Sequence, residues 1–251
     1  MRLRVLAALA FLMAPLGGAN AQEAAPLLHS HWSFDGIFGT YDKASAQRGF
    51  QIYSQICSAC HSMNYMAYRN LAGIGLSPAQ IKAVAAAVTV PGGLDDQGKE
   101  TERPGRPSDT FKAPFPNDKA AEAAMGGALP PDQSLLVAAR DGGPNYIYSL
   151  MQGYVDPPAG VQVPVGHYYN KYFPGHMIAM PPPLTDNAVT YADGTKATLA
   201  QEAHDVATFL TYTSYPQLDE QHRLGVRVLL FLIFMTIVTY IAKRRVWVDV
   251  H

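Results

Sequence analysis

Two apolar runs lie at opposite ends of the chain. The first covers residues 5–16, is preceded by Arg2 and Arg4, and is followed by small residues at 19–21. A charged start, a short apolar stretch and a small-residue site together are typical of a secretory signal peptide. We therefore predict that residues 1–21 are cleaved and that the mature chain starts near Gln22. The alternative is a hydrophobic first helix of the mature fold.

The second apolar run covers residues 224–242 and has no charge from Val228 to Ala242. A membrane-spanning helix needs about 20 predominantly apolar residues. Three basic residues, Lys243, Arg244 and Arg245, follow directly, and cytoplasmic flanks are enriched in such residues. The pattern predicts a transmembrane helix at 224–242 and a cytoplasmic tail at 243–251, and a buried core helix is the alternative. With the export signal, it places residues 22–223 on the periplasmic side of a bacterial inner membrane.

Between the ends, two segments have the periodicity of amphipathic helices. In the segment 42–56, Asp42 can cap the start, and Phe50, Tyr53 and Ile56 recur on one face. In the segment 198–210, Thr198 and Gln201 fit a capping box. Its apolar stripe consists of Ala203, Val206, Ala207 and Leu210. We expect a mainly α domain in which these two helices pack together.

The segment 90–121 has a different composition, since it is rich in glycine, proline and charge. This composition indicates a long loop insertion without regular structure. Its acidic stretch, which includes Asp95 and Glu100, could meet a basic partner or could simply be solvated.

The net charge of the predicted exported domain limits the classes of partner that it can bind. The whole chain has 19 basic and 20 acidic residues, and residues 22–223 keep 13 basic and 19 acidic ones, a net charge of about −6. An exported acidic domain is unsuited to nucleic acid. A basic protein partner is the natural candidate, although acidity alone also maintains solubility.

The chain has two cysteines, and both belong to the motif CSACH at residues 57–61. Structural zinc needs four ligands, and the chain has no second cysteine pair. A thiol oxidoreductase motif should follow a strand, whereas a helical pattern precedes this one. A simple disulfide does not need His61. The motif C-x-x-C-H is typical of covalent c-type haem attachment, with Cys57 and Cys60 bonded to the haem vinyl groups and His61 under the iron.

A haem held by histidine on one face can take methionine, histidine, water or nothing on the other. Met63 and Met66 lie too close to His61 in the chain to reach around the ring. The stretch YFPGHMIAMPPPL at 172–184 places Met180 before three prolines, and a rigid loop suits a thioether ligand. Met180 is preferred, while Met177 and His176 from the same stretch remain alternatives. His204, on the second amphipathic helix, is expected to be a surface or packing residue.

Three segments together resemble one family. They are RGFQIYSQICSACHSMNYMAYRNL, GALPPDQSLLVAARDGGPNYIYSL and YFPGHMIAMPPPL, followed by the C-terminal anchor. This combination is similar to the cytochrome c1 family, the haem c subunits of the cytochrome bc1 complex. The resemblance implies a class I-like c-type cytochrome domain, mainly α, with long loop insertions and one C-terminal transmembrane helix. It strengthens Met180 as the distal ligand and places Arg140 and Tyr146 near the haem propionates.

The resemblance also implies a role and partners. The chain would carry electrons from the Rieske iron–sulfur protein, through one covalently attached haem c, to cytochrome c, with cytochrome b and the lipid bilayer beside its helix. It would be an electron-carrying subunit of a quinol–cytochrome c reductase, and no nucleic acid would be involved. One departure is the lack of the additional cysteine pair that some bacterial members have. Two other classes remain open: a haem c sensor or peroxidase with an open sixth site, and an anchored thiol oxidoreductase without haem.

Overall fold

The computed structural model describes residues 24–249, so the predicted signal peptide lies outside the described residues. The described part contains six α-helices: α1 (Lys43–Gln55), α2 (Pro78–Ala86), α3 (Asp118–Ala124), α4 (Pro144–Gln152), α5 (Leu199–Ser214) and α6 (Leu218–Val246). Two 3₁₀ helices cover Cys57–Ala59 and Tyr68–Ile74. Two small antiparallel pairs are formed by β1 (Thr89–Leu94) with β2 (Glu100–Pro104) and by β3 (Tyr168–Tyr169) with β4 (Met177–Ile178). The mainly α prediction is confirmed.

Both predicted amphipathic helices form, and side chains cap them. Asp42 accepts hydrogen bonds from the backbone N–H groups of Ala44 and Ser45 at the start of α1. Thr198 Oγ1 accepts from the N–H of Gln201 at the start of α5. The reciprocal half of the predicted capping box is absent, because the N–H of Thr198 donates to the carbonyl of Lys196 at 3.0 Å, while the Gln201 side chain donates to Asp205.

The packing of α1 on α5 is the centre of the fold. Gly49 allows the close approach, since a Cβ at this position would collide with the backbone carbonyl of Asp205. The Phe209 ring lies 5.6 Å from that of Phe50 and 5.9 Å from that of Tyr53. α4 also packs on α5, so α5 is buried along most of its length. The core therefore joins the segment just before CSACH to the helix after the methionine loop.

The segment 90–121 was expected from the sequence to be an insertion without regular structure, but it contains a hairpin and a short helix. β1 and β2 form a hairpin over Thr89–Pro104, and α3 begins after the capping side chain of Asn117. Asp95 accepts hydrogen bonds from the N–H groups of Gln97 and Lys99, and Gly98 has a φ of 76°. The hairpin is exposed on most positions, so its strands need no apolar alternation, and the usual strand signal is missing.

The last helix, α6, extends well beyond the predicted span of 224–242. It begins at Leu218, only four residues after α5 ends, and it has no buried residue. Its apolar side chains are exposed, for example Phe231 at 60 % and Phe234 at 62 %. A continuous exposed apolar surface of this kind needs a non-aqueous surrounding. Among the described residues, α6 is the one helix long and apolar enough to span a bilayer, and it fits a membrane anchor.

Candidate cofactor site

The motif CSACH lies in a tight turn at the C-terminal end of α1. Ile56 ends the helix, and the 3₁₀ turn Cys57–Ala59 follows at once. The N–H groups of Cys60 and His61 both donate to the carbonyl of Cys57, at 3.1 and 2.9 Å. Cys57 and Cys60 form no disulfide. The turn thus gathers two thiols and one imidazole within a single short piece of backbone.

The surroundings of the thiols disfavour a thiol oxidoreductase. Burial, with a smaller contribution from Cys60, raises the pKa of Cys57 to about 12. Catalytic thiols need the opposite shift, which a helix N-terminus or a nearby cation provides. These cysteines follow a helix C-terminus, where the helix dipole disfavours negative charge. Cys57 therefore lacks the surroundings that activate a catalytic thiol.

His61 is oriented by a backbone carbonyl 70 residues further along the chain. Its side chain is buried, and its Nδ1 lies 2.8 Å from the carbonyl oxygen of Pro131. Because a carbonyl only accepts, Nδ1 carries the proton, and the lone pair of the neutral ring is on Nε2. Burial lowers the pKa of His61 despite the hydrogen bond to Pro131, so the ring is neutral at pH 7. A metal-binding histidine is typically held this way.

A network around Asp132 fixes the Pro131 carbonyl against the motif. Asp132 Oδ2 accepts from Ser62 Oγ and from the N–H of Asn64, and Oδ1 accepts from the N–H of Ser134, each at 2.8 Å. The N–H of Gln133 donates to the carbonyl of Ser62. Burial raises the pKa of Asp132, but these hydrogen bonds outweigh it and lower the pKa overall. The carboxylate therefore joins the two segments while charged.

Met180 lies in a segment that is held through its backbone. It is partly buried against the core, two residues after β4, and its carbonyl accepts a 3.1 Å hydrogen bond from the hydroxyl of Tyr154. Asn170 supports the same region, since its side chain donates to the carbonyl of Leu150 and accepts from the N–H of Tyr172. No hydrogen bond or charge within the described residues fixes the thioether itself. Sequence reasoning missed Tyr154 and Asn170, because neither has a local signal.

The two alternatives to Met180 already have structural roles. The His176 ring is buried and stacks on Tyr169 at 5.2 Å, and its Nδ1 lies 3.2 Å from the carbonyl oxygen of Asn170. Met177 forms part of β4, opposite Tyr169. His204 stacks on Trp32 at 4.7 Å, as expected of a packing residue.

Arg140 and Tyr146 lie next to each other at the entry to α4. Arg140 is exposed and donates to the carbonyl of Ala139. Burial raises the pKa of Tyr146, and the guanidinium of Arg140 partly offsets this rise. Tyr154, whose hydroxyl donates to the carbonyl of Met180, lies close to Tyr146. Tyr154 therefore lies between Tyr146 and the backbone of Met180. An exposed guanidinium next to a phenol is suited to binding a carboxylate.

The donor set fits a c-type haem and does not fit zinc. No cluster of three or more histidine, cysteine or acidic side chains able to hold a metal ion occurs in the part of the chain that the structure describes. Two adjacent thiols, one imidazole with Nε2 available and a partly buried thioether are the groups that a c-type haem needs. The imidazole is oriented in advance by the carbonyl of Pro131.

The helical fold and this site define a c-type cytochrome with a single C-terminal apolar helix. Residues 32–250 match the Cytochrome C1 family. The chain is 47% identical to the cytochrome c1 of Rhodospirillum rubrum, covering 98% of this chain and 97% of that protein. It therefore belongs to the cytochrome c1 family, which carries a c-type haem.

Two further relatives extend the comparison. The chain is 43% identical to the cytochrome b/c1 of Bradyrhizobium diazoefficiens, over 98% of this chain and 39% of that protein. It is also 43% identical to a mitochondrial cytochrome c1 heme protein of Arabidopsis thaliana, over 91% of this chain and 76% of that protein. The family match over residues 32–250 includes both the CSACH motif and the apolar helix.

Proposed function

We propose that this chain is the membrane-anchored electron-transfer subunit of a cytochrome bc1 complex. It accepts electrons from the Rieske iron–sulfur protein and passes them to cytochrome c through one covalently bound haem c. The observation that carries this proposal is the geometry of His61, whose Nδ1 is bonded to Pro131 while Nε2 is left for iron. The names of the cytochrome c1 relatives support the placement in the complex.

Each candidate residue has a distinct task in this proposal. Cys57 and Cys60 would hold the haem through two thioether bonds, and His61 and Met180 would bind its iron. The haem supplies a one-electron iron couple when bound. Methionine ligation and burial favour the reduced state and raise the potential. Arg140 and Tyr146 hold the propionates, because a guanidinium and a phenol donate to carboxylates.

The topology follows from the two ends of the chain. Residues 1–21 act as a cleaved signal peptide, residues 22–223 form the periplasmic domain, residues 224–242 cross the membrane, and residues 243–251 are cytoplasmic. The exposed apolar length of α6 and the basic residues at its end support this orientation. Cytochrome b and lipid surround this helix. The acidic periplasmic domain suits a basic acceptor cytochrome.

A redox titration of the haem-loaded full chain tests the ligand assignment. Met180→Leu removes the thioether and keeps an apolar side chain of similar size. We expect the midpoint potential to fall by on the order of 0.1 V or more, within the ~0.8 V range over which haem ligands act. Met177→Leu is the matched control, since it changes a methionine three residues away, and its potential should stay close to that of the parent.

The opposite result identifies the alternative function. If Met180→Leu titrates like the parent, Met180 is not on the iron, and Met177, His176 or an open site takes its place. A fall in the potential of Met177→Leu would then assign Met177, whereas ready binding of carbon monoxide by the parent would show an open sixth site. That outcome would replace the electron carrier with a haem sensor or peroxidase that has an open sixth site. A colourless protein with two reactive thiols would instead contradict haem attachment itself.

A further inference from the structure

An exposed apolar turn lies next to the start of α6. We call residues 33–40 the apolar turn. The N–H of Gly39 donates to the carbonyl of Gly36 at 3.2 Å, and the N–H of Thr40 donates to that of Ser33 at 3.0 Å. Its tip consists of Ile37 and Phe38, which are 66 % and 75 % exposed. Two adjacent large apolar side chains at a turn tip do not contribute to the core, and the haem site does not use them.

Two hydrogen bonds fix the apolar turn and the residue that follows it to α6. His222 Nδ1 donates to the carbonyl of Gly39 at 2.7 Å, and the N–H of Tyr41 donates to Asp219 Oδ1 at 3.0 Å. Gly39 is required at its position, because a Cβ there would collide with the backbone of Phe34 and Asp35. These contacts therefore fix the position of the apolar turn along the axis of α6.

A cavity of about 290 Å³ separates the turn from the helix. Its lining is mainly apolar on the side of Ile37, Phe38 and Val226, and it includes the basic side chains of Arg223 and Arg227. Arg223 pairs with Glu220 at 2.6 Å. Arg227 forms no ion pair within the described residues. The cavity thus has an almost wholly apolar lining, to which Arg227 contributes its apolar stem, while the exposed charged end of Arg227 lies at the rim without an ion-pair partner among the described residues.

The position of the cavity along α6 gives its depth in a bilayer. The basic residues that follow the apolar run begin at Lys243. A hydrocarbon core of ~30 Å corresponds to about 20 helical residues at ~1.5 Å each. Counting back from Lys243 places the opposite edge of the hydrocarbon near Arg223. The cavity and the apolar turn therefore lie at the boundary between the hydrocarbon and the phospholipid headgroups. Arg227 lies about one helical turn inside this boundary, and its long side chain can extend back to the headgroups.

From these observations we propose that the cavity binds a membrane phospholipid. Arg227 pairs with the headgroup phosphate, while Ile37, Phe38 and Val226 contact the adjoining ends of the acyl chains. A guanidinium beside a phosphate and apolar side chains at the hydrocarbon edge match the two parts of one lipid molecule. The inference rests on the proposed membrane anchor, since a helix outside a bilayer would leave the turn in water. Coverage of the turn by another protein, or by a second copy of the chain, is the rival occupant.

Spin labels on the full haem-loaded chain in vesicles of phosphatidylcholine and phosphatidylglycerol test the depth of the turn. The haem consumes both native thiols, so a single added cysteine is labelled in Phe38→Cys. Accessibility to oxygen divided by accessibility to a water-soluble nickel chelate should be several-fold higher there than in Val165→Cys. Val165 is a fully exposed apolar residue of the haem domain. Ile233→Cys, in the middle of α6, is the reference for hydrocarbon depth.

The three labels separate the possible failures. If Ile233→Cys is oxygen-rich but Phe38→Cys resembles Val165→Cys, the lipid proposal is wrong while the membrane anchor stands. If Ile233→Cys also resembles Val165→Cys, the anchor itself fails. A label at position 38 that neither reagent reaches would show a protein cover and overturn the lipid as occupant.

A second measurement addresses the phosphate. We expect Arg227→Gln to retain about one phospholipid fewer per haem than the parent after detergent extraction, measured as the ratio of phosphorus to iron. Lys82→Gln removes an exposed charge on α2, far along the chain from the cavity, and should retain as much as the parent. An unchanged haem spectrum confirms that the variant is folded. Equal lipid retention in both variants would overturn the pairing of Arg227 with phosphate.

Discussion

The two sides of the candidate haem site are held in different ways. On the proximal side, a hydrogen bond fixes the imidazole of His61 itself, and Asp132 fixes the carbonyl that makes this bond. On the distal side, hydrogen bonds hold the backbone around Met180 while the thioether is placed by packing alone. The difference follows from ligand chemistry, since an imidazole has a second polar atom to orient and a thioether does not. The proximal side should therefore depend on polar networks, and the distal side on shape.

The largest effect is expected from Asp132→Asn, which tests the proximal network. The amide keeps the size of the side chain but turns one acceptor oxygen into a donor, which then faces Ser62 and Asn64 or the N–H of Ser134. Hydrogen bonds to a charged group contribute about 1.5–3 kcal/mol each. We expect the free energy of unfolding to fall by about 2–3 kcal/mol, measured by chemical denaturation of the haem-loaded protein in detergent.

Asp96→Asn is the control for Asp132→Asn, because Asp96 is exposed in the hairpin turn and should change stability by less than about 0.5 kcal/mol. The pH dependence gives a second readout. Because the folded pKa of Asp132 is lowered, its contribution is complete above the unfolded value of about 4 and is lost as pH falls through the lowered pKa. Parent and Asp132→Asn should thus converge in stability at acid pH. Curves that stay parallel below pH 4 would contradict the charged network.

An intermediate effect is expected from Gly153→Ala, which tests shape on the distal side. A Cβ at this position would collide with the Asn170 amide and approach the Tyr172 ring. Overpacking of this kind costs about 1–3 kcal/mol. Methionine ligation should be lost at a lower temperature than in the parent, while the haem stays covalently attached. The temperature dependence of the ferric haem spectrum measures this.

Gly225→Ala is the matched control for Gly153→Ala, since no atom lies within 4 Å of the added carbon. It should leave the spectrum unchanged at every temperature. If Gly153→Ala also behaves like the parent, the distal segment is less tightly packed than the structure indicates.

The smallest effect is expected from Tyr154→Phe. This change removes the hydroxyl that donates to the carbonyl of Met180 and keeps the ring. One neutral hydrogen bond contributes about 0.5–1.5 kcal/mol, so we expect a loss near 1 kcal/mol and a small fall in midpoint potential. Tyr65→Phe, at an exposed tyrosine, should change neither quantity. A loss as large as that of Asp132→Asn would remove the distinction between the two sides.

Local sequence signals predicted a large part of this architecture. Neighbouring residues determine the helix caps at Asp42 and Thr198 and the apolar run of α6. These features could therefore be predicted from local patterns in the sequence. The attachment motif is equally local, because its chemistry fits into five consecutive residues.

The residues that support His61 and Met180 could not be predicted from local sequence signals. The contact between His61 and the carbonyl of Pro131 joins positions 70 residues apart and uses a backbone atom, which has no residue-type signal. The bond from Tyr154 to Met180 spans 26 residues and depends on how α4 meets the β3–β4 pair. The hairpin at 89–104 was missed because exposed strands lack the apolar alternation that identifies a strand.

The short passage from α5 to α6 limits how the haem domain can move. The Tyr41 hydroxyl donates to the carbonyl of Tyr215 at 3.0 Å, and the backbone N–H of Tyr41 donates to Asp219. Because hydrogen bonds hold both ends of this connection, no flexible linker lets the domain rotate independently of α6. Once α6 is embedded, its remaining rigid-body freedom is lateral drift and spinning about the membrane normal. In the proposed function, a redox partner would then meet the domain at a height and inclination set by α6, which would shorten the orientational search before electron transfer.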